Sequence, residues 1–169
     1  MPVLCVLPVM WHLNASMTAP APRITTEYVD TEDRLRLVGD FGSADPMIIW
    51  LTQRLMRRLV PHLLLWLDER AGAPARREFI HAFEQEAARA ALMPQPTVNP
   101  SDDNKAWTAI AADISHDAEC LTINLRDNDR NGFRMRMKDA ELRQWLTVLH
   151  AVWTTAEWPA EVWPCLLYT

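Results

Sequence analysis

Apolar and polar residues alternate along six short segments of the chain, and this period of two is typical of half-buried β-strands. In the clearest of them, residues 34–38, the leucines lie on one side and the arginines on the other. Turn-forming residues separate the segments, and Asn131-Gly132 is a strong hairpin signal. The predicted strands are residues 24–28, 34–38, 47–51, 110–114, 121–125 and 133–137.

Apolar residues recur every three or four positions in three longer segments, which predicts amphipathic helices. Thr52 is placed to cap the first helix, whose apolar stripe includes Leu59 and Trp66. We expect a kink or a break at Pro61, because proline removes one backbone hydrogen bond. Asp139 is placed to cap the third helix.

The second helix is predicted over residues 76–92. Its most apolar side carries two phenylalanines one turn apart, so that side is predicted to face the core. The predicted buried positions are Phe79, Ile80, Phe83, Ala87 and Leu92.

Residues 24–70 and residues 107–155 contain the same succession of three strands and a helix. Apolar strand positions match 86 residues later, as Leu35 matches Leu121, and helix positions match 87 residues later. The sequence therefore predicts an α+β fold with an internally duplicated β-β-β-α unit. Each unit is too small to bury its own sheet face, so the two should cover each other. We expect an antiparallel sheet or open barrel of about six strands with three helices.

Residues 24–164 are predicted to form a single domain, in which the helix over 76–92 and a loop over 93–106 join the two units. Residues 1–23 show no regular period, so we expect them to be disordered or to come from a start codon placed too early. The alternative of a signal peptide lacks the usual basic leader. The final residues, 165–169, are what TGT CTC TTA TAC ACA encodes, a transposase adapter of sequencing libraries, and we interpret them as an adapter scar.

The net charge of −5 argues against a general nucleic-acid binder, which is usually basic. Arginine greatly outnumbers lysine, which occurs only at Lys105 and Lys138, and this is typical of GC-rich bacterial coding DNA. The three cysteines form no Cys-x-x-Cys motif or disulfide framework, which favours a reducing cytoplasm. No apolar run reaches the roughly 20 residues of a membrane helix. We therefore expect a bacterial cytoplasmic protein that does not contact a membrane.

The segment from Asp127 to Gly132 matches the start of a calcium-binding EF-hand loop. Asp127, Asp129 and Asn131 stand at its first, third and fifth ligand positions. The position of the bidentate glutamate is occupied by Lys138, and the flanking segments are predicted strands. A hairpin turn is the alternative interpretation.

Two groups of arginines are candidate binding surfaces. The strand group lies on outward positions and is a candidate polyanion site, although Glu27 and Asp113 are placed to pair with it across the strands. The helix group lies on one side of the first helix and is a candidate docking patch for an acidic partner. The strand group is Arg34, Arg36, Arg126, Arg134 and Arg136, and the helix group is Arg54, Arg57 and Arg58.

Trp158 and Trp163 lie beyond the last helix in a proline-containing segment. They either fold back over the core or serve as exposed anchors for a partner, since tryptophan is enriched at interface hot spots.

No catalytic or cofactor-binding constellation is present. Ser115-His116-Asp117 has the residue types of a hydrolase triad, but neighbouring strand residues point to opposite faces and cannot converge. The leading hypothesis is a non-catalytic binding or adaptor protein with a protein partner or a second copy of itself. The alternatives are nucleic-acid or polyanion binding through the strand arginines and an enzyme with a site between the two units.

Overall fold

The computed structural model describes residues 5–8, 23–40, 45–71, 77–93, 95–100, 105–129 and 131–164. These residues form three α-helices and two β-sheets, which confirms the α+β class. The helices are α1 (Gln53–Arg70), α2 (Arg77–Ala90) and α3 (Asp139–Thr155). The strands of the first sheet are β1 (Cys5–Pro8), β2 (Arg23–Val29), β3 (Arg34–Asp40), β4 (Met47–Leu51) and β5 (Ala106–Ala109), and those of the second are β6 (Ala111–His116), β7 (Cys120–Arg126) and β8 (Gly132–Lys138).

The first sheet has the order β1-β2-β3-β4-β5, with antiparallel neighbours except for β5, which runs parallel to β4. Its two edge strands are not predicted by the sequence. β1 lies inside the segment 1–23 that is predicted to stay outside the fold, and β5 follows the predicted loop over 93–106. Both add to strands whose outer backbone groups would otherwise lack partners, which is the physical reason that short segments pair at sheet edges.

The second sheet consists of β6, β7 and β8, which pair in chain order and antiparallel. The chain passes from β5 to β6 through Ile110, whose backbone N–H donates to the Arg126 carbonyl at 3.0 Å. Ile110 is the first residue of the predicted strand 110–114, but it is 51% exposed and lies before β6. It is the residue at which the chain changes sheets, and it is not part of the alternating strand.

The second and third strands of the two predicted units pair with the same register. Leu35 pairs with Leu51 in the first sheet, and 86 residues later Leu121 pairs with Met137 in the second. The first strands differ, because Thr26 pairs opposite Leu37, whereas Ile114 pairs opposite Ile123. Positions 26 and 114 are 88 residues apart, so the turn before the second strand differs in length between the two segments.

The strands are divided between two sheets, and a single six-stranded sheet or open barrel is not found in the described part of the chain. One apolar core joins both sheets with α1 and α3. α1 contacts β6 of the second sheet, and α3 contacts β2 of the first. The indole N–H of Trp145 on α3 donates to the Thr26 hydroxyl on β2 at 3.2 Å. α1, which follows the strands of the first segment, therefore packs on a strand of the second, and α3, which follows the strands of the second segment, packs on a strand of the first.

The helix ends follow the predictions in part. The Thr52 hydroxyl accepts a hydrogen bond from the Leu55 N–H at 3.2 Å, which confirms this residue as the cap of α1. α1 runs through Pro61 without a break. Asp139 is the first residue of α3 and not its cap; instead the Glu141 carboxylate accepts from the Lys138 N–H at 2.8 Å. None of the helices in the described ranges has both the length and the apolar character needed to cross a membrane.

Candidate functional site

α2 buries the side opposite to the one predicted. The sequence predicts that Phe79 and Phe83 face the core, but they are 80% and 77% exposed. The buried side of α2 carries His81, Gln85 and Ala88, and α2 packs on α3. The prediction is wrong because α3 presents polar groups to α2, and these select the polar side of the helix.

Arg143 on α3 is the centre of this contact and is 1% exposed. Its Nη2 donates to Glu84 Oε2 at 2.6 Å and lies 3.2 Å from His81 Nδ1. Its Nε donates to Asp139 Oδ1, one turn earlier on α3, at 2.6 Å. Within the described ranges Nη1 has no hydrogen-bond partner. The side chains of Glu84 and Asp139 remain 44% and 32% exposed, so water and the arginine share the solvation of both carboxylates.

The contact continues through His81 to α1. A guanidinium group only donates hydrogen bonds, so His81 Nδ1 accepts from Arg143 and the proton is carried at Nε2. His81 Nε2 lies 3.3 Å from Asp68 Oδ1, and Asp68 Oδ2 accepts from Arg77 Nη1 at 3.0 Å. Both ring nitrogens are engaged, so none is left to take a proton from a substrate. The hydrogen-bonded cluster of Asp68, Arg77, His81 and Arg143 connects α1, α2 and α3, and its histidine is not arranged as a general base.

Two glutamines add directional bonds between α2 and α3. Gln85 Nε2 donates to the Arg143 carbonyl at 3.1 Å and to the Thr147 hydroxyl at 2.8 Å. Gln144 Nε2 donates to the Ala88 carbonyl at 3.3 Å. Because hydrogen bonds depend on angle as well as distance, these contacts fix the rotation of α2 about its own axis. They therefore also decide which residues α2 presents to solvent.

The exposed side of α2 carries a largely apolar row that we call the outer stripe, and it consists of Phe79, Phe83, Glu86 and Ala90, with Met93 following beyond the end of the helix. The four members are successively four, three and four positions apart, which keeps them on one side of the helix. Phe79, Phe83 and Met93 are 80%, 77% and 74% exposed, and they are three of the five large apolar side chains that are exposed in the described residues. A surface of this kind marks an interaction site in soluble proteins.

A cleft of about 760 Å³ lies beside the outer stripe, between α2 and the first turns of α3. Phe83 belongs to both the stripe and the cleft. The remaining walls are alanines, among them Ala87 and Ala91, together with polar side chains such as Glu84 and Gln144. The apolar surface of α2 is therefore continuous with a concave, partly polar region.

Trp158 and Trp163 are each 7% exposed and pack against the core. Both rings meet Trp153 edge to face, with centroids 5.1 and 5.5 Å away. The indole N–H of Trp158 donates to Asp33 Oδ1 at 3.3 Å, and that of Trp153 donates to the Pro159 carbonyl at 3.0 Å. The segment after α3 thus folds back over the core, and these tryptophans are not the exposed anchors that one of the two interpretations requires.

The helix arginines Arg54, Arg57 and Arg58 are all exposed on α1, as their spacing predicts. Arg57 Nη2 lies 4.0 Å from Glu161 Oε2 in the segment after α3. The structure brings no further described acidic side chain within ion-pair distance of this group, and its role as a docking patch stays a prediction.

The strand arginines are divided between the two sheets and do not form one continuous surface. Arg36 Nε donates to Glu27 Oε1 at 2.6 Å, and Arg126 Nε donates to Asp113 Oδ2 at 2.7 Å, which confirms the two predicted cross-strand partners. The Arg126 guanidinium lowers the pKa of the Asp113 carboxyl. Arg34 and Arg36 lie on β3, Arg126 on β7, and Arg134 and Arg136 on β8.

A third strand arginine, Arg136, forms an ion pair that closes the turn between β6 and β7. Arg136 Nη2 donates to Asp117 Oδ2 at 2.5 Å, and Asp117 Oδ1 accepts from the N–H groups of Glu119 and Cys120, each at 2.9 Å. The bond from Arg136 and the two backbone bonds hold the pKa of Asp117 well below its usual range. At least three of the five candidate arginines thus have carboxylate partners within the chain, which reduces the positive charge available to a polyanion.

The calcium candidate lies in the hairpin turn between β7 and β8. Asp127 Oδ1 accepts from the N–H groups of Asp129 and Asn131 at 2.8 and 2.9 Å, and Asp127 Oδ2 accepts from Asn131 Nδ2 at 2.6 Å. The bond from the Asn131 amide is the main cause of a lowered pKa for Asp127. Both oxygens of the first candidate ligand are therefore used to hold the turn itself.

Sequence reasoning misses the residues that orient α2, namely Arg143, Glu84, His81 and Gln85. A signal for Arg143 exists, because it follows Leu142 inside the apolar stripe of α3 and therefore needs a buried partner. The four-three spacing of the outer stripe is also visible in the sequence. Of the other positions predicted to be buried on α2 and after it, Ala87 is exposed and Ile80 and Leu92 are partly buried.

Comparisons with protein-family models, with curated proteins and with solved structures each gave no match. The described residues contain no group of three histidine, cysteine, aspartate or glutamate side chains arranged to hold a metal ion. The functional argument therefore rests on the geometry of α2 and its surroundings.

Proposed function

We propose that the protein is a non-catalytic binding or adaptor protein that acts through protein–protein contacts made by the outer stripe of α2. The observation that carries this proposal is the exposure of Phe79 and Phe83, 80% and 77%, one turn apart on one helix. The opposite side of that helix is held to α3 by directional polar contacts, so the phenylalanines cannot turn inward without breaking them. Burial of apolar surface against a partner is favourable by about 25 cal/mol per Å².

The partner that fits the outer stripe is an amphipathic helix. Apolar residues with four-three spacing form a straight seam, and a second helix with the same spacing interdigitates with it. The stripe lies on a helix whose backbone groups are already paired internally, so addition of a strand has no edge to use here. The cleft beside Phe83 offers polar groups at the border of this apolar seam, as the rim of an interface does.

The two three-stranded segments with their helices are, in this proposal, copies of one β-β-β-α unit. Support comes from the identical pairing of Leu35 with Leu51 and, 86 residues later, of Leu121 with Met137. The excess of arginine over lysine supports a bacterial source. The lack of a disulfide framework among the three cysteines supports a location in the cytoplasm.

The two alternative functions have less support. Nucleic-acid or polyanion binding would use the strand arginines, and Arg36, Arg126 and Arg136 are paired with carboxylates of the same chain. An enzymatic site between the two segments would need a free acid, base or nucleophile. The most promising group, His81, has both ring nitrogens engaged.

Selection from a displayed library of amphipathic helical peptides tests the proposed function. We expect the full chain to enrich peptides with apolar residues in four-three spacing. The enriched peptides should bind the wild type and a Leu65→Ser control, which removes a 53% exposed leucine on α1. They should not bind a Phe79→Ser/Phe83→Ser variant. Equal binding to all three proteins would show that the outer stripe is not the interaction surface.

A further inference from the structure

We propose that the helix taken by the outer stripe is α2 of a second copy of this chain, packed antiparallel about a twofold axis. This inference rests on the proposed function and names the partner of the same surface. In a twofold interface the same patch occurs on both sides, and residue i of one copy meets residue j of the other twice. A helix suited to this arrangement must therefore present a surface that fits an identical surface running in the opposite direction.

The sizes of the side chains along α2 meet this condition. Phe79 and Phe83 lie in the N-terminal half of the exposed side, and the exposed alanines Ala87 and Ala90 lie in the C-terminal half. In an antiparallel pair, Phe79 lies opposite Ala90 of the second copy, and Phe83 then lies opposite Glu86 of the second copy, with Ala87 beside it. Large residues then meet small ones at both ends, which is the arrangement that fills a helix interface without cavities or clashes.

The charges beside the stripe meet the same condition. Glu78 and Arg89 are both exposed, and they lie on the same flank of α2, eleven positions or three turns apart. At 1.5 Å per residue they are about 16 Å apart along the helix, too far to pair within one chain. The described residues supply no ion pair to either side chain. Antiparallel packing brings Glu78 of one copy to Arg89 of the other, and the twofold axis repeats this contact.

Glu86 limits the strength of the proposed dimer. It occupies the middle of the outer stripe, so the two copies bring their Glu86 carboxylates close to the twofold axis. A polar residue inside an apolar seam lowers affinity while it helps to set the register. α2 has 14 residues, which corresponds to a contact only about 21 Å long. We therefore expect a dimer that dissociates on dilution and has less than the roughly 800 Å² per partner of a standard interface.

Sedimentation equilibrium of the full chain across a concentration series tests the inference. The wild type should pass from monomer to dimer as its concentration rises. Phe79→Ser/Phe83→Ser should weaken this association by at least about tenfold, as loss of aromatic hot-spot residues does. Leu65→Ser on α1 should leave the association unchanged. Glu86→Leu should strengthen it by about tenfold or more, which loss of an unrelated structural contact would not do.

A charge exchange tests the antiparallel register. Glu78→Arg alone and Arg89→Glu alone should each weaken the dimer, because each places like charges opposite one another. The combined variant should restore wild-type association, since the two charges have only changed places. The two positions are too far apart to compensate within one chain, so rescue reports a contact between copies. Far-UV circular dichroism of each variant verifies that the helices are retained.

The possible outcomes separate this inference from the proposed function. A chain that stays monomeric at all concentrations but binds helical peptides through the outer stripe overturns the second-copy inference alone. A dimer that the Phe79→Ser/Phe83→Ser variant leaves intact also overturns it, since another surface must then associate. A monomeric chain that binds no peptide overturns both proposals. A dimer that the variant dissociates and that the charge exchange rescues supports both.

Discussion

α1 and α3 each follow three antiparallel strands, yet the two helices differ in how many of their sides are covered. α1 begins at Gln53 and α3 at Asp139, so residues 86 positions apart occupy matching places, and not residues 87 apart as the sequence predicts. At two of these places α1 exposes Arg57 and His62, whereas α3 buries Arg143 and Val148. The order of strands and helix is therefore the same in both segments, while the surroundings of the helix are not.

The difference comes from the neighbours of each helix. α3 contacts α2 and strands of both sheets, including β2 and β8. α1 contacts β6 and the short 3-10 helix Ala160–Val162 that follows α3. α2 has packed on only one of the two similar helices, so the other keeps a solvated side. Helix burial in this protein thus depends on what is packed around the segment and not on its position after the strands.

The sharpest contrast is between Arg57 on α1 and Arg143 on α3, which are 86 positions apart. The Arg57 side chain is 50% exposed, whereas Arg143 is 1% exposed with two carboxylates and a histidine around its guanidinium. An arginine at this place in the helix is buried only where a third helix brings partners for it.

The largest effect is expected for Met56→Arg, which places a charged side chain at a fully buried position of α1. The described structure has no carboxylate arranged to receive it, so an unpaired charge would be buried and the protein should lose about 3–5 kcal/mol of unfolding free energy or fail to fold. Met56→Leu conserves volume and should cost less than about 1.5 kcal/mol. Urea denaturation measures both, and similar losses for the two variants would contradict the contrast.

Trp145→Ala should be the next largest effect. It leaves a cavity in the core and removes the partner of the Thr26 hydroxyl, so we expect a loss of about 3–5 kcal/mol. Arg58→Ala on α1 should stay within about 0.5 kcal/mol, because the side chain is exposed. Equal changes in the denaturation midpoints of the two variants would show that the two helix faces are covered alike.

Arg143→Met, which removes the buried guanidinium, should cost about 1–2 kcal/mol, less than removal of one partner from a fully buried ion pair. The reason is that Glu84 and Asp139 are 44% and 32% exposed and water can solvate them. The same variant should loosen α2, since the arginine connects it to α3. Hydrogen exchange of α2 amides measures this loosening, and unchanged protection would mean that the glutamine contacts alone hold the helix.

The smallest effect concerns the turn between β6 and β7. Bonds from Arg136 and two backbone N–H groups lower the pKa of Asp117, so the folded protein favours the charged carboxylate. This stabilisation is present above the pKa of an unfolded aspartate, about 3.9, and is lost as the pH falls below it. Asp117→Asn should therefore lower the urea midpoint near neutral pH, and its difference from the wild type should shrink on acidification. Asp129→Asn, an exposed position in the other hairpin, is the matched control and should show no such pH-dependent difference.

Local patterns predict most of the central strands and all three helices. The alternation in residues 34–38 shows which side of one strand faces the core, and the apolar stripe of α1 shows the same for one helix. A short window of sequence contains this information. The Thr52 cap is local in the same sense. The edge strands β1 and β5 are missed because their pairing depends on free backbone groups of distant strands, and backbone pairing requires no particular side chains.

The orientation of α2 shows where local information ends. Two sides of this helix are plausible buried faces, and apolar character alone favours the side with Phe79 and Phe83. The structure selects the opposite side, because His81, Gln85 and Glu84 meet the buried guanidinium of Arg143. These partners are about 60 residues away in the chain, and Arg143 to His81 spans 62 positions.

The sequence by itself determined the class of the fold, the central strands and the three helices. These features follow from periodicity and capping, which act over a few residues. Only the tertiary structure decided that the strands form two sheets, that Trp158 and Trp163 return to the core, and that α2 presents its phenylalanines to solvent. Those outcomes depend on which residues, distant in the sequence, pair with a buried charge or fill a shared core. The free energy of such contacts arises only when all of these residues are brought together in the folded protein.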